Sequence, residues 1–217
     1  MHIVSVNIAL PQEVEWKGQT VRTSIFKQPV AEPVQVLAEH LAGDGQADLR
    51  VHGGPDKAVY AYPLEHYEFW RPHVPPELLV MGAFGENLTT TGLLESEVRV
   101  GACYRLGTAV LMAVQPRQPC FKLGIRLHDA GLVRRFEEAR RSGIYFRVVR
   151  QGVVRAGDAI ALAEPGPLAV TIQDMVDSQR LADKDLNKIR EILRLPLLSP
   201  SWRARFEAML ADGERPA

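Results

Sequence analysis

Cysteine is almost absent from this chain: its 217 residues include only Cys103 and Cys120. Two thiols cannot build a disulfide framework, and neither lies in a CxxC or Cys/His spacing of the kind that holds zinc. Each must be read separately. An excess charge is also missing, since 26 Lys and Arg balance 26 Asp and Glu. No global field favours nucleic acid, a membrane surface or an acidic partner, so any basic site has to be local. No run approaches the roughly 18 apolar residues of a bilayer span. The opening MHIVSVNIAL has neither a basic leader nor a small-residue cleavage site. These absences lead us to expect a cytoplasmic protein with no nucleic-acid or membrane partner. No GxGxxG follows a strand pattern, so no flavin or nicotinamide site is expected. Tandem repeats are absent, and only the tail 212–217 reads as disordered.

What remains is a chain that is 46% hydrophobic, enough for one sizeable core and a small appendage. Up to about Glu164 short β-type runs alternate with Gly, Pro and Asp. His2 to Ala9, Val21 to Phe26, Asp48 to His52, Val59 to Tyr62, Tyr145 to Gln151 and Ala159 to Ala163 read as strands. Val98 to Val114 reads as two strands broken near Gly107, and Gly152 and Gly157-Asp158 as turns. Many short strands suggest a closed or nearly closed barrel. Helices are expected over Leu64 to Trp70 and Asp129 to Arg141, flanking or plugging it.

Pro165-Gly166-Pro167 marks a change of texture, after which the pattern is helical. Thr171 with Asp174 resembles a capping pair, Asp183 can cap a second helix, and Ser199-Pro200 supplies an N-cap and a first-turn proline. The expected organisation is therefore a β-barrel domain over 1–166 and a three-helix segment over 167–217. About 50 residues fold poorly alone, so the helices should dock on the barrel.

Three segments carry chemistry. In Gln115-Pro116-Arg117-Gln118-Pro119-Cys120-Phe121-Lys122, two prolines should stop the preceding strand and leave Cys120 on a stiff connection. Arg117 and Lys122 are close in sequence, and nearby cations favour a thiolate. A buried structural thiol is the commoner role for cysteine, but the flanking proline and cations favour function. Cys103, inside a strand pattern, is read as core. In Arg50-Val51-His52-Gly53-Gly54-Pro55-Asp56-Lys57, the glycines would let backbone amides approach an oxyanion while Lys57 adds charge. An ordinary solvated turn explains the same residues equally well. The loop Gly82 to Thr90 offers Asn87 and threonines to a heterocycle edge, or only to its own backbone. His66 and His73 are read as packing or surface residues.

Taken together and in this order, the runs His52 to Val59, Gly82 to Leu88 and Pro116 to Lys122 resemble the MOSC domain, named for the C-terminal domain of molybdenum cofactor sulfurases. Thr23 to Lys27, Gly143 to Val148 and Gly157-Asp158 extend the likeness, and residues 168 to 211 resemble the helical 3-alpha segment of the YiiM-type subgroup. Ala102 departs from the acidic residue common at that point in relatives. The resemblance implies a mainly β fold with α: a MOSC-type, pyruvate-kinase-barrel-like β-barrel with flanking helices. It also implies a molybdenum-cofactor-dependent reductase of N-hydroxylated bases, such as 6-hydroxylaminopurine, that yields the amine. Cys120 matches the metal-binding cysteine. By position Thr23, Lys27, Lys57, Asn87, Arg117 and Arg147 are candidates for cofactor binding, and His52 or Asp56 for the proton source. A separate flavoprotein reductase would supply electrons to act on a small N-hydroxylated substrate, and a homodimer is left open. Two other readings stand beside it. One is a metal-free cysteine enzyme with Cys120 as nucleophile and His52 as base; the other is a non-catalytic carrier of cofactor or sulfur.

Overall fold

The computed structural model describes residues 1–47, 53–179 and 185–214. The expected strand Asp48 to His52 lies outside them. Twelve strands and six α-helices are found among the described residues. Strand β1 (His2–Ile8) opens the chain. The hairpin β2 (Gln12–Trp16) and β3 (Gln19–Thr23) follows, then β4 (Gln28–Val30) and β5 (Val34–Val36). The β2–β3 turn uses positive φ at Lys17 (51°) and Gly18 (75°), the backbone of a two-residue hairpin loop. Its strand therefore ends at Thr23, and the expected continuation to Phe26 is corrected: residues 24–27 leave the ladder, and Ser24, Ile25 and Lys27 line the site described below.

The middle of the chain forms β6 (Val59–Pro63), α1 (Glu65–Trp70), β7 (Leu88–Thr91), β8 (Cys103–Leu106), β9 (Ala109–Pro116), α2 (Phe121–Arg126) and α3 (Leu132–Ala139). β10 (Ile144–Arg150), β11 (Gly152–Val154) and β12 (Ile160–Glu164) complete the strands. Eight of them make one mixed sheet in the order β12-β8-β9-β10-β6-β7-β1-β4, antiparallel except for the β6–β7 pair. β6, parallel to β7 and between it and β10, is buried along its whole length, as expected of a strand covered on both faces. The N-terminal end of β1 also meets the approach to β12. His2 bridges Ala159, Ile3 N–H donates to Asp158 O at 2.9 Å, and Ile160 N–H donates to Met1 O at 2.9 Å.

Three sequence expectations change here. Residues 98–102 do not form a strand: Arg99 only bridges Thr171, and the chain turns at Gly101 (φ 83°), with Ala102 N–H donating to Arg99 O at 3.1 Å. Gly152 is a strand residue, not a turn. A Cβ there would lie 2.5 Å from the backbone of Thr108 and Ala109, so glycine permits close approach of two chains. Pro116 ends β9 as a strand residue opposite Ile144, and the expected stiff connection shrinks to residues 117–119, after which Cys120 occupies the N-cap of α2.

The C-terminal helices are α4 (Ile172–Asp177), α5 (Leu186–Leu193) and α6 (Pro200–Gly213). Thr171 and Asp174 form a reciprocal capping box at 3.0 and 2.9 Å. Asp185 caps α5 through Asn187 N–H and Lys188 N–H at 2.9 and 3.1 Å, whereas Asp183 is outside the described residues. α6 runs through Asp212, so the expected disorder does not begin there. The helices bury Ile172, Met175, Ile189, Trp202 and Phe206 in the same apolar cluster as Ile3, Leu111 and Phe146 of the sheet. No helix among the described residues is long and apolar enough to cross a membrane.

Candidate functional site

Cys120, partly exposed at the N-cap of α2, opens into a cleft between that helix and the segments 23–27, 44–47 and 85–87. Arg117 reaches the same cleft from the connection after β9. Its side chain is buried, donates through Nη1 to the Phe84 carbonyl, and lies 4.7 Å above the Tyr60 ring. A guanidinium held over an aromatic face and by one carbonyl keeps its charge for the cleft. Among the described residues it makes no ion pair with a carboxylate. Lys122 and Lys57 add two further cations to the lining. Burial draws the Lys57 ammonium below its ordinary value, against the opposing pull of Asp56 and Cys120.

Lys27 is committed differently. Its Nζ lies 2.5 Å from Asp44 Oδ1, with both side chains buried. Burial lowers the Lys27 pKa although Asp44 opposes the shift. Asp44 Oδ2 accepts from Asn87 Nδ2 at 2.9 Å, and Asn87 Oδ1 accepts from Tyr60 N–H at 3.1 Å. The Asn87 amide therefore fixes the wall of the cleft. Thr23 Oγ1 likewise accepts from Ile25 N–H at 3.2 Å.

The loop carrying Asn87 is organised by Glu86, which sequence reasoning did not single out. Its fully buried carboxylate accepts from Gly82 N–H at 3.0 Å, Phe84 N–H at 3.1 Å and Thr89 Oγ1 at 2.9 Å, and also from the Tyr67 hydroxyl. Burial raises its pKa against those bonds. Gly82 (φ 86°) passes so close to Lys27 that a Cβ would meet Lys27 O at 2.8 Å, which locks loop and site together.

Thr23, Lys27, Lys57, Asn87, Arg117 and Cys120 are thus brought to one cleft. Arg147 is not. It donates through Nε to Asp56 Oδ1 at 2.8 Å, and Asp56 faces a neighbouring groove that also contains Lys57. His52 lies outside the described residues. His66, read as a packing or surface residue, is buried and paired with Glu95 at 2.8 Å, while His73 is exposed. Cys103 is buried beside Met112 and Val114, and burial raises its thiol pKa. Asp44, Tyr60 and Tyr145 are cleft residues the sequence did not flag. Gly43-Asp44-Gly45 looks like any turn; for the tyrosines only the polar tip on a strand was a signal.

This architecture and this cleft identify a member of a known class. The chain belongs to the MOSC domain family, whose model matches residues 48–161, and the model of the YiiM-like 3-alpha helix domain matches residues 179–213. Protein YflK of Bacillus subtilis is 41% identical over 94% of this chain and 92% of its own length. The crystal structure of YiiM from Geobacillus stearothermophilus superposes with a TM-score of 0.78 at 34% identity, covering 96% of this chain and 98% of that one. A Gibberella moniliformis protein named "Reductase" is 36% identical over 83% of this chain, but the match spans only 32% of that longer protein.

Proposed function

We propose that this chain is a cytoplasmic reductase of N-hydroxylated bases that works with a molybdenum cofactor bound through the Cys120 thiolate. The observation that carries the reading is the placement of Cys120 in a cleft whose charged lining includes Arg117, Lys57 and Lys122. Among the described residues no three His, Cys, Asp or Glu side chains gather to hold a metal. One thiolate among cations and hydrogen-bond donors suits a metal that arrives inside an anionic organic cofactor. Ser24 Oγ, buried in the cleft wall without a hydrogen-bond partner, is a group that such a cofactor would satisfy. We further read the sheet as a barrel closed by the contact between β1 and the approach to β12.

The bound cofactor would supply the two electrons that cleave the N–O bond, and a separate flavoprotein would replenish them. The balance is one hydroxylamine group, two electrons and two protons giving one amine and one water. The chain's own residues hold and orient. Arg117 and Lys57 bind anionic oxygens; Lys27, neutralised by Asp44, shapes the wall with Thr23 and Asn87. Arg147 is engaged by Asp56, and either His52 or Asp56 is the proton source. The "Reductase" name of the fungal relative supports the reaction class.

The test is turnover: protein with molybdenum confirmed in the sample, given a chemical or flavoprotein electron donor, should convert 6-hydroxylaminopurine to adenine. Absence of adenine from such a sample would remove the reductase reading and favour a carrier of the cofactor.

A further inference from the structure

The cleft around Cys120 does not end at Cys120. A second groove runs on from it, past Tyr145 and Lys57, between Gln115, Pro119 and the start of α6, where Ser201 and Trp202 form the far wall. A third concavity shares Lys57, Gln115 and Ser201 with it and reaches the Gly53-Gly54 turn and Ser199. The two banks are tied together, because Ser199 Oγ donates to Gln115 Oε1 at 3.1 Å. Cys120, Lys57 and Tyr145 line both the cationic cleft and the groove, so a reacting atom beside Cys120 has two differently furnished spaces around it.

Their chemistry differs. The first is lined by cations and by the Lys27–Asp44–Asn87 network. The second presents mainly polar surface, from Gln118, Gln115, Lys57, Tyr145 and Ser201, with Pro116, Pro119 and the largely buried Trp202 among them. A mainly polar groove with amides, a hydroxyl and a few apolar side chains suits a small heterocycle that presents ring nitrogens and an amino group; a glutamine amide can pair with both at an adenine edge.

We infer that this second groove is the substrate lobe, and that Ser201 and Trp202 make the C-terminal helical segment its specificity-determining wall. The inference rests on the proposed reaction for the identity of the substrate, but its binding test does not. A helical segment that also packs into the main core holds such a wall rigidly, which positions the hydroxylamine nitrogen toward Cys120.

Ser201 is exposed at the first turn of α6, so Ser201→Phe fills the groove from its rim without disturbing the core. The full-length chain is titrated with adenine, the product-like probe, and bound molybdenum and pterin are measured on the same samples. The parent should bind adenine saturably. Ser201→Phe should weaken that binding by about tenfold or more through steric exclusion and keep the parent's molybdenum and pterin content. Gln118→Ala, which removes an amide without adding bulk, should weaken adenine binding in the same direction if Ser201→Phe does not fold. Adenine binding unaffected in a folded Ser201→Phe protein, or no binding by the parent, would overturn the inference. So would loss of cofactor from the variant, which would assign the groove to the cofactor. Groove-dependent adenine binding by a protein that reduces no N-hydroxylated base would uphold the lobe and refute the reaction.

Discussion

Lys27 and Asp44 form a buried ion pair 2.5 Å long in the wall of the cleft that holds Cys120. Breaking one partner of such a pair leaves an uncompensated charge and typically costs about 3–5 kcal/mol. Asp44→Asn should therefore lower stability in urea unfolding by that order, and Lys27→Met added to it should recover most of the loss. Because burial lowers the Lys27 pKa in the folded chain, the folded state releases this proton first as pH rises. Between the lowered value and the ordinary 10.5, the unfolded chain holds more protons, so Lys27 contributes a gain in stability with pH across that window. The slope should shrink in the double variant.

The two thiols should differ in chemistry. Cys120 is partly exposed, while Cys103 is buried with its pKa raised by burial. Under native conditions at pH 8, a disulfide reagent should label one thiol per chain. Peptide mapping should find Cys120, with Cys103 reacting only at higher pH or after unfolding. Equal labelling of both would contradict the core assignment of Cys103.

Anchors and proton sources should separate by what they lose. Arg117→Ala and Lys57→Ala should weaken cofactor retention by about 1.5–3 kcal/mol, the usual value of a charge-assisted contact, read as faster loss of pterin on dialysis. His52→Ala and Asp56→Asn should keep molybdenum and slow turnover, measured as a fall in kcat. Loss of metal from the second pair would make them anchors too.

Truncation after Pro167 tests the proposed division at residues 166 and 167. It removes Val170 and Ile172, which bond to residues 98 and 100, and strips apolar partners from the sheet. The shortened chain should keep strand-type circular dichroism but unfold at lower urea and tend to aggregate. A chain with no folded β signal would show that the helices belong to the main folding unit.

Local signals were the legible ones. The Thr171–Asp174 box is read within four residues, because capping is short-range; Pro200 opens α6 as expected, but the Ser199 hydroxyl makes no capping bond and goes to Gln115. α2 was hidden: six residues, no acidic first turn, and Gly124 at its centre, where a Cβ would meet Asp129 O at 3.0 Å. The cleft was legible at Cys120 and Arg117, whose prolines and charges stand together. Asp44 and Tyr60 reach it only through long-range pairing, through the bonds to Asn87 and the β6 ladder. Glu86 carries no signal in the sequence because its partners, Tyr67 and the amides of its own loop, converge only once the loop closes on Lys27. Arg147 matched by position yet turns to Asp56, since alternation along β10 and its pairing set its direction.

The most direct test is the molybdenum and pterin content of the parent and of Cys120→Ala, both purified from a host that makes the cofactor. The account predicts about one molybdenum and one pterin per parent chain and a folded Cys120→Ala protein without stoichiometric molybdenum, because a soft thiolate is the protein's ligand to the metal. Equal metal in the two proteins, or none in the parent, would contradict it.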